Sequence, residues 1–199
     1  MNNKKRMAGN YEITQSIRVG EKEIVFGVDE KDEHPYFCAY YECDEILGQY
    51  YDCLKSKDYA EIVGIYAQRI QEQGNRLKEE RSSVTVPTDR ITADMCIPDD
   101  YKKSIEGKVI VIRPEVLRHE YQTADRQLWL CTGGFGSHAN SRGSACYCTN
   151  LYSGKETRWE RRDVLGEMKE LPEWAKDRLL AIMAQRADKQ KSNNEKEAR

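Results

Sequence analysis

The stretch Asp125–Gly166, DRQLWLCTGGFGSHANSRGSACYCTNLYSGKETRWERRDVLG, leaves this chain few ways to fold. It holds three short runs with strand composition: Gln127 to Thr132, Ala145 to Leu151 and Thr157 to Val164. A Gly-rich loop, Gly133 to Gly143, joins the first two, and a tight Ser153-Gly154 turn joins the second to the third. Parallel strands need a crossover of a dozen or more residues, so short connections of this kind specify antiparallel pairing. Upstream, Lys108 to Arg113 (KVIVIR) reads as a further strand stopped by Pro114. Four or more short strands packed this closely predict a small β-barrel or rolled sheet over residues 107–168.

The first part of the chain repeats the theme. Tyr11–Val19, Glu23–Val28 and Tyr36–Glu42 alternate apolar and polar residues and predict a three-stranded antiparallel meander. Residues 43–57 fit a short helix or a packed loop. Asp58 is a good N-cap, with Glu61 three residues on in capping-box position. Tyr59, Ile62, Val63, Tyr66, Ile70 and Leu77 then recur at helical spacing, which predicts an amphipathic helix over 59–81 that covers the meander. Ser82, Ser83, Pro87 and Pro98 interrupt any period, so residues 82–106 read as a linker. Pro172 suits a helix first turn, and Leu171, Trp174, Ala175, Leu179, Ile182 and Met183 follow at helical spacing, so residues 169–186 read as a C-terminal helix. Residues 1–10 and 187–199 are polar and read as disordered ends, with Met7 available as an alternative start. The fold class expected is α+β: a covered meander, then a small β-barrel-like antiparallel unit and a C-terminal helix.

Charge is unevenly spread. The 199 residues carry a formal charge of −2, yet Tyr11–Val63 holds 13 acids against 5 bases while Tyr101–Gly166 holds 11 bases against 7 acids. Such a split fits either two kinds of partner or attraction between the halves. No apolar run is long enough to cross a membrane. The basic N-terminus has no apolar segment behind it, so it does not read as a signal peptide. Seven cysteines at irregular spacing fit reduced thiols and a cytoplasmic setting.

The second half holds the candidate sites. Cys131, His138, Cys146 and Cys148 are possible metal ligands, but C-x-C on a strand is not the usual zinc knuckle, and small core residues are the simpler account. The glycine loop has spare N–H groups for an anion, yet its flanks are strands and it matches no nucleotide fingerprint. Cys131 or Cys148 with His138 is a conceivable nucleophile pair without a supporting signature, and no other catalytic pattern exists, so a non-enzyme without cofactor or metal is expected. What remains is binding. Phe135, His138 and Arg142 in the loop, Lys155 just before the last strand, and Arg158, Trp159, Arg161 and Arg162 on it, interleave bases and aromatics. Such residues suit nucleic acid or a protein partner, although Trp159 in the core with its neighbouring charges solvated is the simplest account of the pattern.

The segments VGEKEIVFGVDEKDEHPYFCAYYE and YQTADRQLWLCTGGFGSHANSRGSACYCTNLYSGKETRWERRDVLG resemble small accessory proteins of conjugative and integrative elements in gut-dwelling Gram-positive anaerobes. They also resemble domains appended to large polyvalent proteins of such elements. The resemblance implies an anti-defence context. The expected function is binding and inhibiting a host defence nuclease, of antirestriction or anti-CRISPR type, or that nuclease's nucleic-acid complex. The alternative is a DNA- or RNA-binding module of the element's transfer or regulatory machinery.

Overall fold

The computed structural model describes residues 5–43 and 47–197, with side chains described as far as residue 187. Asp44 and Glu45, two of the acids counted above, lie outside the described residues, as do residues 1–4 and 198–199 of the expected disordered ends. The fold is α+β with antiparallel sheets, in two compact units that divide between Ser83 and Val84.

Among the described residues the first unit holds five strands rather than three: β1 (Met7–Ala8), β2 (Tyr11–Val19), β3 (Lys22–Val28), β4 (Tyr36–Cys43) and β5 (Gly48–Ser56), paired in that order. Residues 7 and 8, expected to be disordered, pair with Glu12 and Tyr11. The stretch read as a short helix or loop is β5, paired with β4 from Tyr36↔Ser56 to Cys43↔Gly48. Its alternation is broken by a bulge in which Asp52 and Cys53 stand opposite Ala39, with Asp52 at φ 49°. A second bulge at Thr14 shifts the alternation of β2 and leaves Ile17 exposed.

Both faces of this sheet are apolar. One carries Ile24, Phe26, Cys38 and Tyr40 under helix α1 (Tyr59–Ser82), whose Ile62, Ile65, Tyr66 and Ile70 pack there. Ile62 is fully buried, which for such a side chain contributes about 1.5–3 kcal/mol. Asp58 caps α1 by accepting from the N–H groups of Ala60 and Glu61, while the Glu61 carboxylate accepts from Ser56 Oγ instead of closing the capping box. The other face carries Tyr11, Val25, Phe37 and Ala39. There the sheet nearly closes on itself. Arg6, just before β1, donates to Tyr50 Oη on β5 (3.2 Å), lies over the Tyr41 ring (4.0 Å to the centroid) and pairs with Glu23 (2.5 Å).

The second unit is a six-stranded sheet in the order β10-β9-β8-β7-β11-β6. Its strands are β6 (Cys96–Pro98), β7 (Val109–Ile112), β8 (Leu128–Gly133), β9 (Ala145–Asn150), β10 (Glu156–Glu160) and β11 (Val164–Met168). A short helix α2 (Ala124–Gln127) precedes β8, and α3 (Glu173–Glu197) ends the chain. The expected linker belongs to this unit. β6 pairs with β11, Ile91 and Cys96 are buried, and the buried Gln127 amide holds Ile91 at both its N–H (2.8 Å) and its carbonyl (3.1 Å). The expected strand 157–164 is two strands. β10 pairs with β9, a 3-10 turn at Arg161–Asp163 redirects the chain, and β11 pairs with β7 and β6. Helix α3 runs beyond its expected end at residue 186, through the segment read as a disordered tail. Its Trp174, Ala175, Leu179 and Ile182, with Leu171, cover Val111, Leu128, Leu130 and Leu151, while Met183 is exposed. The opposite face of the sheet packs Ile110, Ile112, Trp129 and Cys131 with Cys146, Cys148 and Trp159.

Candidate binding face of the second unit

Period-2 geometry sorts the residues of β9 and β10 between the two faces of the sheet. On β9 Cys146 and Cys148 pack on the Trp129 face, so Tyr147 between them belongs to the face that α3 covers, where it nonetheless stays exposed. Tyr147 stands opposite Gly133 on β8 and opposite Arg158 on β10, which places the phenol and the guanidinium side by side on one face. Tyr147 is 56% exposed. Its signal in the sequence is the C-Y-C alternation, which charge and glycine content do not mark.

Phe135 is 78% exposed, the most exposed large apolar residue described. It opens a 3-10 turn, Phe135–Ser137, entered through Gly134 at φ 98°. Neither the Phe135 nor the Tyr147 ring has an aromatic partner among the described residues. Glycine is needed in this loop for close approach as well as for positive φ. A Cβ on Gly134 would lie 3.2 Å from Tyr147 Cδ2, and one on Gly143 would lie 2.6 Å from Phe135 Cβ. A Cβ on Gly136 would run into the Ser144 carbonyl. The Tyr147 ring therefore abuts the residue before Phe135, and Arg142 lies next to the glycine pressed against Phe135.

Arg161 was expected on the binding edge. It is instead buried, with side-chain exposure of 1%. Its guanidinium pairs with both Asp99 oxygens (2.8 and 2.7 Å) and donates to the carbonyls of Gly136 (2.9 Å), Lys103 (3.0 Å) and Asp100 (3.3 Å). Burial works against its charge, but the Asp99 carboxylate more than offsets this and holds the guanidinium above its usual value. Arg161 follows β10 and Asp99 follows β6, so this pair links the two edge strands of the sheet. By gripping Gly136 it also anchors the Phe135 turn.

Trp159 likewise faces inward. It packs edge-on against Trp129 (centroids 5.5 Å apart), half-buried, with its indole N–H unpartnered. The other candidates are exposed. Arg158 pairs with Glu160 (2.5 Å), His138 lies 3.5 Å from Glu106, and the Arg142, Lys155 and Arg162 side chains point to solvent. Glu160 is held below the usual carboxylate range, chiefly by the Ser144 hydroxyl and then by Arg158 and Arg162.

The thiols gather without His138. Cys131 stands directly opposite Cys148, and all three cysteines of this face are buried. Hydrogen bonds from Cys146 and Cys148 favour the thiolate on Cys131 against the effect of burial, and the same bonds together with burial push Cys146 and Cys148 up. No group of three ligands suited to a metal ion occurs among the described residues. Among them, too, no helix is long and apolar enough to cross a membrane. No family model, no curated protein and no solved structure matches this chain.

Proposed function

We propose that this chain is an accessory protein of a mobile genetic element that acts by binding nucleic acid through an exposed patch of its second unit, formed by the β8–β9 loop and the neighbouring part of β9 and β10. The observation that carries this reading is the exposure of Phe135 and Tyr147 beside Arg142 and Arg158. Exposed rings offer stacking surfaces, and guanidinium forks match phosphate oxygens. Lys155 and Arg162 add positive charge nearby in sequence. The triple substitution Arg142→Ala, Arg158→Ala, Arg162→Ala tests it in a mobility-shift titration against salt. Three phosphate contacts correspond to an affinity loss of roughly 20–40-fold between about 50 and 200 mM salt, and the triple variant should flatten that slope. Binding that ignores both salt and the substitutions would overturn the reading.

A second reading, inhibition of a host defence nuclease by direct binding, is supported by the first unit. Glu21, Glu30, Glu42 and Asp52 are all exposed there, and a surface of that sign suits a basic nucleic-acid channel. Stoichiometric inhibition of a restriction or CRISPR nuclease, lost on charge reversal of these four acids, is its expected result. A panel of such nucleases left fully active would remove it.

A further inference from the structure

Resting on the nucleic-acid reading above, we infer that the ligand of this face is a single strand of DNA, gripped by stacking of bases on Phe135 and Tyr147. Three features of the face select a single strand over a duplex.

The first is what the face offers. Its two leading contacts are ring surfaces, not a projecting helix or ribbon that could enter a groove. In a duplex the faces of the bases are already stacked on each other, and only their edges are open to readout. A ring on a sheet surface can reach a base face only where the strand is unpaired.

The second is rigidity. A floppy Phe on a loop tip would fold onto the nearest apolar surface. Phe135 cannot do so freely, because its turn is fastened from beneath. Arg161 holds the Gly136 carbonyl, Ser137 Oγ donates to the Gly134 carbonyl (2.7 Å), and Gly143 is pressed against Phe135 Cβ. Tyr147 is fixed by strand pairing on both sides, and its own carbonyl accepts from Thr132 Oγ (3.1 Å). A pre-ordered platform loses little conformational freedom on binding.

The third is charge placement. Arg158 lies beside Tyr147 across the β9–β10 pair, and Arg142 precedes the glycine that abuts Phe135. A guanidinium thus stands beside Tyr147, between Glu156 and Glu160 on the same face of β10. The exposed Arg142 is next in the chain to the glycine against Phe135, so bases and rings come close enough together for a single strand to engage both. Arg158 donates to Glu160 through one nitrogen, which leaves further donors for a phosphate. Neither stacking nor the phosphate contact calls on a 2′-hydroxyl, so the grip is complete with DNA.

The test measures fluorescence anisotropy of the full chain with a labelled oligothymidylate of about 20 nucleotides, its duplex with oligoadenylate, and the RNA strand oligouridylate. The expected order has single-stranded DNA bound at least about tenfold tighter than the duplex. Phe135→Ala and Tyr147→Ala should each weaken it by roughly tenfold, while Tyr147→Phe, which keeps the ring, should bind as the parent does. Thermal melts of each variant establish that the fold is kept, as expected for side chains this exposed. Equal affinity for single strand and duplex, unaffected by Phe135→Ala, would overturn the inference and leave the nucleic-acid reading standing. RNA bound an order of magnitude tighter than DNA would overturn the assignment to DNA. No binding to any of the three probes at low salt would overturn both.

Discussion

Replacing Arg161 by Ala should unfold the second unit far more easily, and the size of the effect follows from its surroundings. The substitution leaves the Asp99 carboxylate, itself 7% exposed, without its counter-charge. It also removes the donors that serve the Gly136, Lys103 and Asp100 carbonyls. Breaking a buried pair by removing one partner costs about 3–5 kcal/mol, and the orphaned carbonyls place this case in the middle or upper part of that range. With a urea slope of about 2 kcal/mol per molar, a loss of about 4 kcal/mol moves the midpoint down by about 2 M. The assay is selective, because Trp129, Trp159 and Trp174 are the chain's three tryptophans and all belong to the second unit. Tryptophan fluorescence therefore follows that unit alone. Arg161→Lys keeps the charge but not the planar fork, and should fall between parent and Ala. The double change Asp99→Leu with Arg161→Met should cost less than the sum of the single changes, since no charge is stranded. A midpoint shift below about 0.5 M for Arg161→Ala would refute this account of the residue.

Four further outcomes are expected. Gly136→Ala forces a Cβ into the Ser144 carbonyl and should cost about 1–3 kcal/mol, read from the same fluorescence transition. Asp52→Gly relieves a non-glycine residue held at φ 49° and should stabilise the first unit by about 0.5–1 kcal/mol, measured by hydrogen exchange of its strands. Glu23 is partly desolvated, but Arg6 and Arg18 outweigh that and hold its carboxyl below the usual range. Its contribution to the first unit is thus full above the ordinary Glu value and drains as pH falls through the depressed folded value. Protection of the first unit's amides should drop below about pH 4, and Glu23→Gln should flatten that drop. In the native chain a thiol reagent should label Cys43 and Cys53 quickly and the five buried cysteines only on unfolding, counted by mass spectrometry.

Much of the scaffold was legible because it obeys local rules. Asp58 and the apolar repeat of α1 set that helix to within a residue, and the glycine-punctuated runs set β8 and β9. Local rules fail where the chain bends or where partners are distant. β5 was hidden because Asp52 breaks its period with a bulge, and because an exposed edge strand need not alternate. β6 is three residues long and owes its place to β11, some 70 residues on, a pairing no window can show. The break at Arg161 is the sharpest case. Charge and position suggested a solvent-facing base, and only Asp99, 62 residues earlier in the chain, makes its burial tolerable. The site was half legible for the same reason. The loop and the basic strand lie in the same part of the unit as the exposed rings, but Trp159, the aromatic that composition picks out, is turned inward, and the ring on the surface is Tyr147.

The two arginine clasps also bear on the order of events in folding. Arg6 reaches Tyr50 and Arg161 reaches Asp99 across 44 and 62 residues, whereas most neighbouring strand pairs are joined by short turns. Hairpins form fast, and contacts of long sequence separation wait for loop closure. Both clasps should therefore be absent from the transition state, with φ-values near zero. Weakening either would leave the refolding rate almost unchanged and speed unfolding, so these two side chains set how long each sheet stays shut rather than how soon it forms.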